Sequence, residues 1–192
     1  MDDQPQPFQA LPQPFQILVV CTGNICRSPA AEYLLRAALD DSVVVRSAGT
    51  HGVVGAPIEP QMATLLPMPA TDFTARRLDA QAVREAGLVL GLTRAHRSRI
   101  VETFPAAVRR AFTLRELARI LSLPEEFPSG ATAAEFLGRA VPRAAELRTL
   151  ARVADPAEDD IADPYLQDDA VFADCFAQLE AAVTAIADRS RA

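Results

Sequence analysis

The stretch Phe15 to Pro29, FQILVVCTGNICRSP, constrains this chain more than any other. Its apolar, β-branched run Ile17, Leu18, Val19, Val20 fits a buried central strand, and it stops abruptly at a Cys followed by small and polar residues. The chain then changes period. From Ser28, SPAAEYLLRAAL sets Ser before Pro at the first helical position, with apolar residues at helical spacing. The segment therefore reads as strand, tight loop and helix, with the loop at the positive end of the helix dipole.

Such a junction attracts anions, because the free N–H groups of the first helical turn and the dipole act in the same place. Arg27 adds a planar fork of donors suited to two oxyanion oxygens at once. Cys21 lies at the bottom of the cradle, where helix-end amides and a guanidinium favour the thiolate, the nucleophilic form. A thiolate facing a bound tetrahedral anion suits transfer of that anion to sulfur.

A Cys, five residues and an Arg prove little alone in 192 residues that hold 3 Cys and 19 Arg. The full string is specific. CTGNICRSP followed by Ala30, Ala31 and Glu32, set between a strand and a helix, closely resembles the signature of the low-molecular-weight protein tyrosine phosphatase family. The resemblance covers roughly 17–112 and 161–187. It implies a three-layer α/β/α fold with a four-stranded parallel sheet and a phosphate-binding loop between the first strand and the first helix. It also implies a phosphomonoesterase that acts on protein phosphotyrosine through a cysteinyl-phosphate, without metal or cofactor. A bacterial tyrosine kinase, polysaccharide-associated, is the opposing partner by family analogy.

Composition narrows the alternatives. A net charge of −6 argues against a general nucleic-acid or membrane-surface binder. There is no Lys, which excludes a Lys Schiff-base enzyme and a GKS/GKT nucleotide loop. Cys21, Cys26 and Cys175 have neither zinc-ligand spacing nor a disulfide framework, and no segment reads as the roughly 20 apolar residues of a membrane span. Residues 1–14, with two PQPF repeats, lack the features of a signal peptide and read as a disordered tail ahead of a single domain, 15–192. A cytoplasmic location is expected.

Along the chain, Val43 to Arg46 reads as a second strand and Ser47 to Pro57 as a glycine-rich loop. The resemblance places an aromatic residue on that loop; this chain has Val53 and Val54, with His51 as an exposed loop residue. Ile58 to Leu66 and Asp79 to Ala86 read as helices, Leu88 to Leu92 as a third strand, and Thr93 to Phe104 as a helix with Arg94, Arg97 and Arg99 on a solvated face. Arg109 to Thr113 is the fourth strand, followed by the helix LRELARIL. Phe73 stands where many family members have a His that buttresses the loop Asn and Ser, so Asn24 and Ser28 are expected to lose one support. Residues 124–152 read as an insertion, a loop plus a helix broken near Pro142, forming a lid or packing outside.

The remaining chemistry lies in DPAEDDIADPYLQDD, 155–169. A phosphoryl transfer to Cys21 needs an acid to protonate the leaving oxygen. The family uses Asp-Pro before an aromatic and the last helix, which Asp163, Pro164 and Tyr165 match better than Asp155 and Pro156. The resemblance makes Cys21, Arg27 and Asp163 catalytic, with Thr22, Gly23, Asn24, Ile25, Cys26, Ser28 and Tyr165 binding substrate. Ser28 would stabilise the thiolate, Asn24 and Gly23 would hold the loop backbone, and Ile25 favours tyrosine because the related arginine phosphatases have Thr there. Cys26 either pairs reversibly with Cys21 or packs as a buried thiol. Thiol-dependent arsenate reduction, and a noncatalytic phosphate-binding module, are the competing readings.

Overall fold

The computed structural model describes residues 14–191. The tail expected over 1–14 lies almost wholly outside them. In chain order the elements are β1 (Phe15–Cys21), α1 (Arg27–Ala38), β2 (Val43–Gly49), α2 (Pro60–Leu65), α3 (Ala80–Glu85), β3 (Leu88–Gly91), α4 (Arg94–Thr103), β4 (Ala111–Thr113), α5 (Leu114–Leu121), α6 (Ala133–Leu147) and α7 (Asp169–Arg191). Short 3₁₀ turns occupy Pro105–Ala107 and Pro156–Asp159.

The four strands are all parallel, in the order β2-β1-β3-β4. Alternate residues of β1 belong to two separate hydrophobic clusters, Ile17, Val19 and Cys21 to one and Leu18 and Val20 to the other. That is the period-two geometry of a strand covered on both faces, and it explains the unbroken apolar run. The larger cluster joins β1 to α1, α5, α6 and α7; the smaller joins it to α3 and α4. The chain leaves β1 for β2 on one side and then crosses to β3 on the other, so the order reverses at β1. Ligands of such sheets bind at the carboxyl end of that strand, where Cys21 sits.

The structure moves several boundaries. β2 extends past Arg46 to Gly49, pairing Ser47, Ala48 and Gly49 with Val19, Val20 and Cys21, because these small buried residues let the two strands stay close. α6 runs unbroken through Pro142. The proline is exposed, and the residue four positions earlier, whose carbonyl it leaves free, is the exposed Gly138. Exposure at that position lets water take the place of the missing donor. α6 inserts Phe136, Leu137, Ala140, Val141, Ala144 and Leu147 into the larger cluster. Its first turn is tied to the α1–β2 connection, Ala133 N–H donating to Asp40 Oδ2 (2.8 Å) and Ala134 N–H to Ser42 Oγ (3.0 Å). The 124–152 segment thus builds a layer of the core.

α7, at 23 residues, is long and apolar enough to cross a membrane by length and composition, contrary to the reading that no segment approaches that length. Its alanines raise its hydropathy, while Phe172, Cys175, Leu179, Val183 and Ile186 are buried in the core.

Candidate active site

α3, α4, α5 and α6 each begin on a side chain that accepts from a first-turn N–H: Asp79, Thr93, Thr113 and Thr132. α1 begins at Cys26 with no side-chain cap. Its N-terminus is closed instead by the loop that precedes it, which is wrapped from outside. The carbonyls of Cys21, Thr22, Gly23 and Ile25 accept hydrogen bonds from the N–H groups of Thr50, His51, Val53 and Glu59, at 2.8–2.9 Å. The peptide bonds of the described residues are trans, so each loop carbonyl turned outward turns the next residue's N–H inward. Thr22, Gly23, Asn24 and Cys26 therefore aim their amides at the centre of the loop.

Close approach of the two loops requires glycine. A Cβ on Gly49 would stand 2.4 Å from the Thr22 carbonyl oxygen, and one on Gly52 would stand 2.3 Å from that of Arg76. Asn24 adopts the left-handed conformation with φ +58°, which Asn tolerates better than most residues.

Asn24 is fully buried and uses its whole side chain. Its Nδ2 donates to Ser28 Oγ (2.9 Å) and Ser47 Oγ (2.8 Å), and its Oδ1 accepts from Arg76 N–H (2.8 Å). Each serine, having accepted from Asn24, has its own proton to give. Ser47 donates to Glu32 Oε2 (2.6 Å), and Ser28 Oγ lies 3.0 Å from Cys21 Sγ. The Asn24 amide points at the same sulfur from 3.3 Å. Two donors thus converge on Cys21. The support that Phe73 was expected to withdraw comes from Ser47, Glu32 and Arg76, while Phe73 packs edge-on against Tyr33, with ring centres 6.5 Å apart. Burial pushes the Glu32 carboxyl above the ordinary range, opposed by the Ser47 hydroxyl and by Arg76 and Arg36.

A cavity of about 230 Å³ opens over the loop. Cys21, Thr22, Gly23, Ile25, Cys26, Arg27, Asp163 and Tyr165 line it, together with His51 and Val53. Asn24 and Ser28 do not; both are buried behind the wall, where their side chains position the loop instead of touching a ligand. His51, exposed on its loop, reaches the rim. Asp155 stays away, capping its own 3₁₀ turn through Ala157 N–H (2.9 Å).

Arg27 is buried and makes an ion pair with Asp163, while its Nη1 donates to the Ile161 carbonyl (3.0 Å). Its Nε–H is buried without a protein partner, a donor suited to a ligand oxygen. Burial, followed by the charges of Asp163 and Glu59, pushes the Cys26 thiol up to about 12, so it remains protonated. Cys175, far away in sequence, is brought close enough for its buried thiol, also pushed up to about 12 mainly by burial, to feel Arg27 and Asp163.

The start of α4 holds both sides of the cavity. Asp160 Oδ1 accepts from Arg94 N–H (2.6 Å), and Ile161 N–H donates to the Leu92 carbonyl (2.9 Å), which fixes the acidic segment. Arg97, assigned to a solvated face, donates instead to the Ala111 carbonyl (2.9 Å). His96 is buried beneath Thr22. Thr93 Oγ1 accepts the His96 backbone N–H (3.2 Å) and lies 2.9 Å from Nδ1, while Nε2 lies 2.9 Å from Thr22 Oγ1, so the ring is held by a hydroxyl at each nitrogen. Burial, and then the Arg27 charge, push the imidazole down to about 4, so it is neutral. Glu32, Ser47 and His96 received no site role from the sequence. The only signals were Glu32 at the end of the signature string, Ser47 opening the glycine-rich segment, and His96 as one of 2 histidines.

Fold and site together define an α/β protein with a cysteine-bearing oxyanion loop at the switch point of a parallel sheet. The profile of the family described as low molecular weight phosphotyrosine protein phosphatase matches residues 16–122, and the chain belongs to that family. It is 31% identical over 133 residues to the low molecular weight protein-tyrosine-phosphatase Etp of Escherichia coli K12, covering 68% of this chain and 89% of that protein. It is 35% identical over 101 residues to the low molecular weight protein-tyrosine-phosphatase Ptp of Acinetobacter johnsonii, covering 51% of this chain and 70% of that one. Among solved structures, the YwlE arginine phosphatase from Geobacillus stearothermophilus is similar with a TM-score of 0.67 at 26% identity, over 93% of this chain and 94% of that chain.

Proposed function

We propose that this chain hydrolyses phosphotyrosine in proteins through a cysteinyl-phosphate on Cys21. The observation that carries the reading is the Cys21 sulfur, held between the Ser28 hydroxyl and the Asn24 amide at the base of a small cavity that also presents Arg27 and Asp163. Phosphate oxygens take the inward amides and the Arg27 fork, which draws Arg27 away from Asp163. The Cys21 thiolate attacks phosphorus, the bond to the phenol oxygen breaks, and Asp163 gives its proton to that oxygen. Asp163 then takes a proton from water as the water attacks phosphorus; inorganic phosphate leaves and the thiolate returns to its two donors. Fixed donors aimed at the transferring group stabilise charge without reorganisation. The phenol ring lies between Ile25 and Tyr165.

Three free thiols suit a reducing compartment, and we place the enzyme in the cytoplasm, opposing a bacterial tyrosine kinase. Arsenate reduction needs further accessible thiols to resolve a Cys21 adduct, and the buried Cys175 is poorly suited to that.

The test is hydrolysis of p-nitrophenyl phosphate, a phosphotyrosine peptide and a phosphoarginine peptide. Cys21→Ser should abolish turnover, and Asp163→Asn should slow it roughly 10²–10⁴-fold. A wild-type protein that binds phosphate and turns over no phosphoester refutes the reading, and faster hydrolysis of phosphoarginine moves the substrate assignment.

A further inference from the structure

Among the described residues, seven large hydrophobic side chains stand exposed, and four of them form two dipeptides, Val53-Val54 and Tyr165-Leu166. They lie on different loops that meet at one place. The inner member of each pair, Val53 or Tyr165, lines the cavity over Cys21. The outer members point away from the protein, Val54 71% exposed and Leu166 82% exposed.

Neither outer residue serves the fold. Gln167 N–H donates to the Pro164 carbonyl (2.9 Å), closing a turn whose third residue is Leu166, at φ +62°. Gly or Asn suits that turn position, and a branched residue there is strained. Val54 sits on a backbone pinned on either side, Val53 N–H to the Gly23 carbonyl (2.9 Å) and Gly55 N–H to the Ala75 carbonyl (3.0 Å), so its exposed side chain is held in place over the loop.

The cavity is also small. Pockets that enclose a whole small molecule measure about 300–1,000 Å³, and 230 Å³ takes one phosphorylated side-chain head. The rest of a protein substrate rests on the rim. We infer that the rim formed by Val54 and Leu166 selects protein segments carrying aliphatic or aromatic side chains immediately beside the phosphorylated tyrosine. With the phosphotyrosine in the cavity, the chain leaves the mouth in two directions, one past each outer residue. Acidic neighbours are disfavoured, because Asp168 lies on the Leu166 loop. The inference rests on the phosphatase reading above.

Three phosphotyrosine peptides of equal length, with Leu, Ser or Glu on both sides of the phosphorylated residue, test it beside p-nitrophenyl phosphate. The wild type should prefer the Leu peptide over the Ser peptide by about tenfold in kcat/KM. A Val54→Ser, Leu166→Asn double variant, in which Asn keeps the turn's backbone conformation, should bring the two within about twofold while its p-nitrophenyl phosphate kinetics stay unchanged. Equal wild-type rates on the Leu and Ser peptides, a preference for Glu, or a Leu preference that survives the double variant overturns the inference. Absence of all turnover refutes the phosphatase reading instead. Fluorescence anisotropy of the same peptides on the Cys21→Ser protein then decides the rim separately: tighter binding of the Leu peptide supports it, and equal Kd values overturn it.

Discussion

Replacing Asn24 tests how the loop is held. The residue is fully buried, makes three side-chain hydrogen bonds and sits at φ +58°. Asn24→Ala removes those bonds at about 1 kcal/mol each and leaves Ser28, Ser47 and the Arg76 amide short of partners. It also holds an ordinary residue in left-handed backbone, at a further cost of about 1 kcal/mol. A loss of about 4 kcal/mol follows, a large part of the 5–15 kcal/mol typical of a domain, and roughly 8–16 °C in Tm for a chain of this size. Asn24→Gly forfeits the same three bonds and escapes the backbone strain, so it should lie about 1 kcal/mol above the Ala variant. Urea unfolding of wild type and both variants, with p-nitrophenyl phosphate turnover measured on the folded fraction, provides the assay. Turnover should fall in both, because the Ser28 hydroxyl and the Asn24 amide lose their fixed aim at Cys21. An Ala variant within 1 kcal/mol of wild type, or a Gly variant less stable than the Ala variant, would refute this account.

Two titrations give opposite signs. Burial raises the Glu32 carboxyl, so its favourable share of stability is complete below the unfolded value, about 4.3, and is lost as pH rises through the folded one. Glu32→Gln, whose carbonyl still accepts from Ser47, should therefore gain on wild type between pH 4.5 and 7.5 in urea unfolding, and a gap independent of pH would contradict the burial argument. His96 is lowered to about 4, so its contribution is present above about 6.5 and is lost as pH falls from there toward 4. That loss amounts to roughly 3 kcal/mol. His96→Gln should flatten the acid limb of the stability profile, and an unchanged limb would show that the imidazole titrates normally.

What was legible in the sequence was local. Ile17 to Val20 marked a strand buried on both faces, and Cys21 to Ser28 marked the loop and the start of α1, because a strand end, a glycine, a left-handed Asn and a helix start specify one another within a dozen residues. The acidic segment around Asp163 was legible only through its resemblance to a family. Its partner Arg27 is 136 residues away, a separation that no local pattern bridges. Pro142 was read as a break, and α6 runs through it past an exposed Gly138; what replaces a polar residue at Phe73, a Ser47–Glu32 pair, and where the 124–152 segment packs, against the core, also depended on what lies alongside.

The sequence by itself determined the local frame: a thiol and a guanidinium on one strand–loop–helix that turns backbone amides toward an anion. Tertiary structure alone decided how that chemistry is held. The outward pull on four loop carbonyls comes from residues 50–59, the hydrogen-bond chain behind Cys21 ends on Glu32, and His96 supports Thr22 from α4. Periodicity and propensity report what a residue does to its own backbone; these bonds join groups from separate elements, and their geometry exists only after the sheet has brought the elements together.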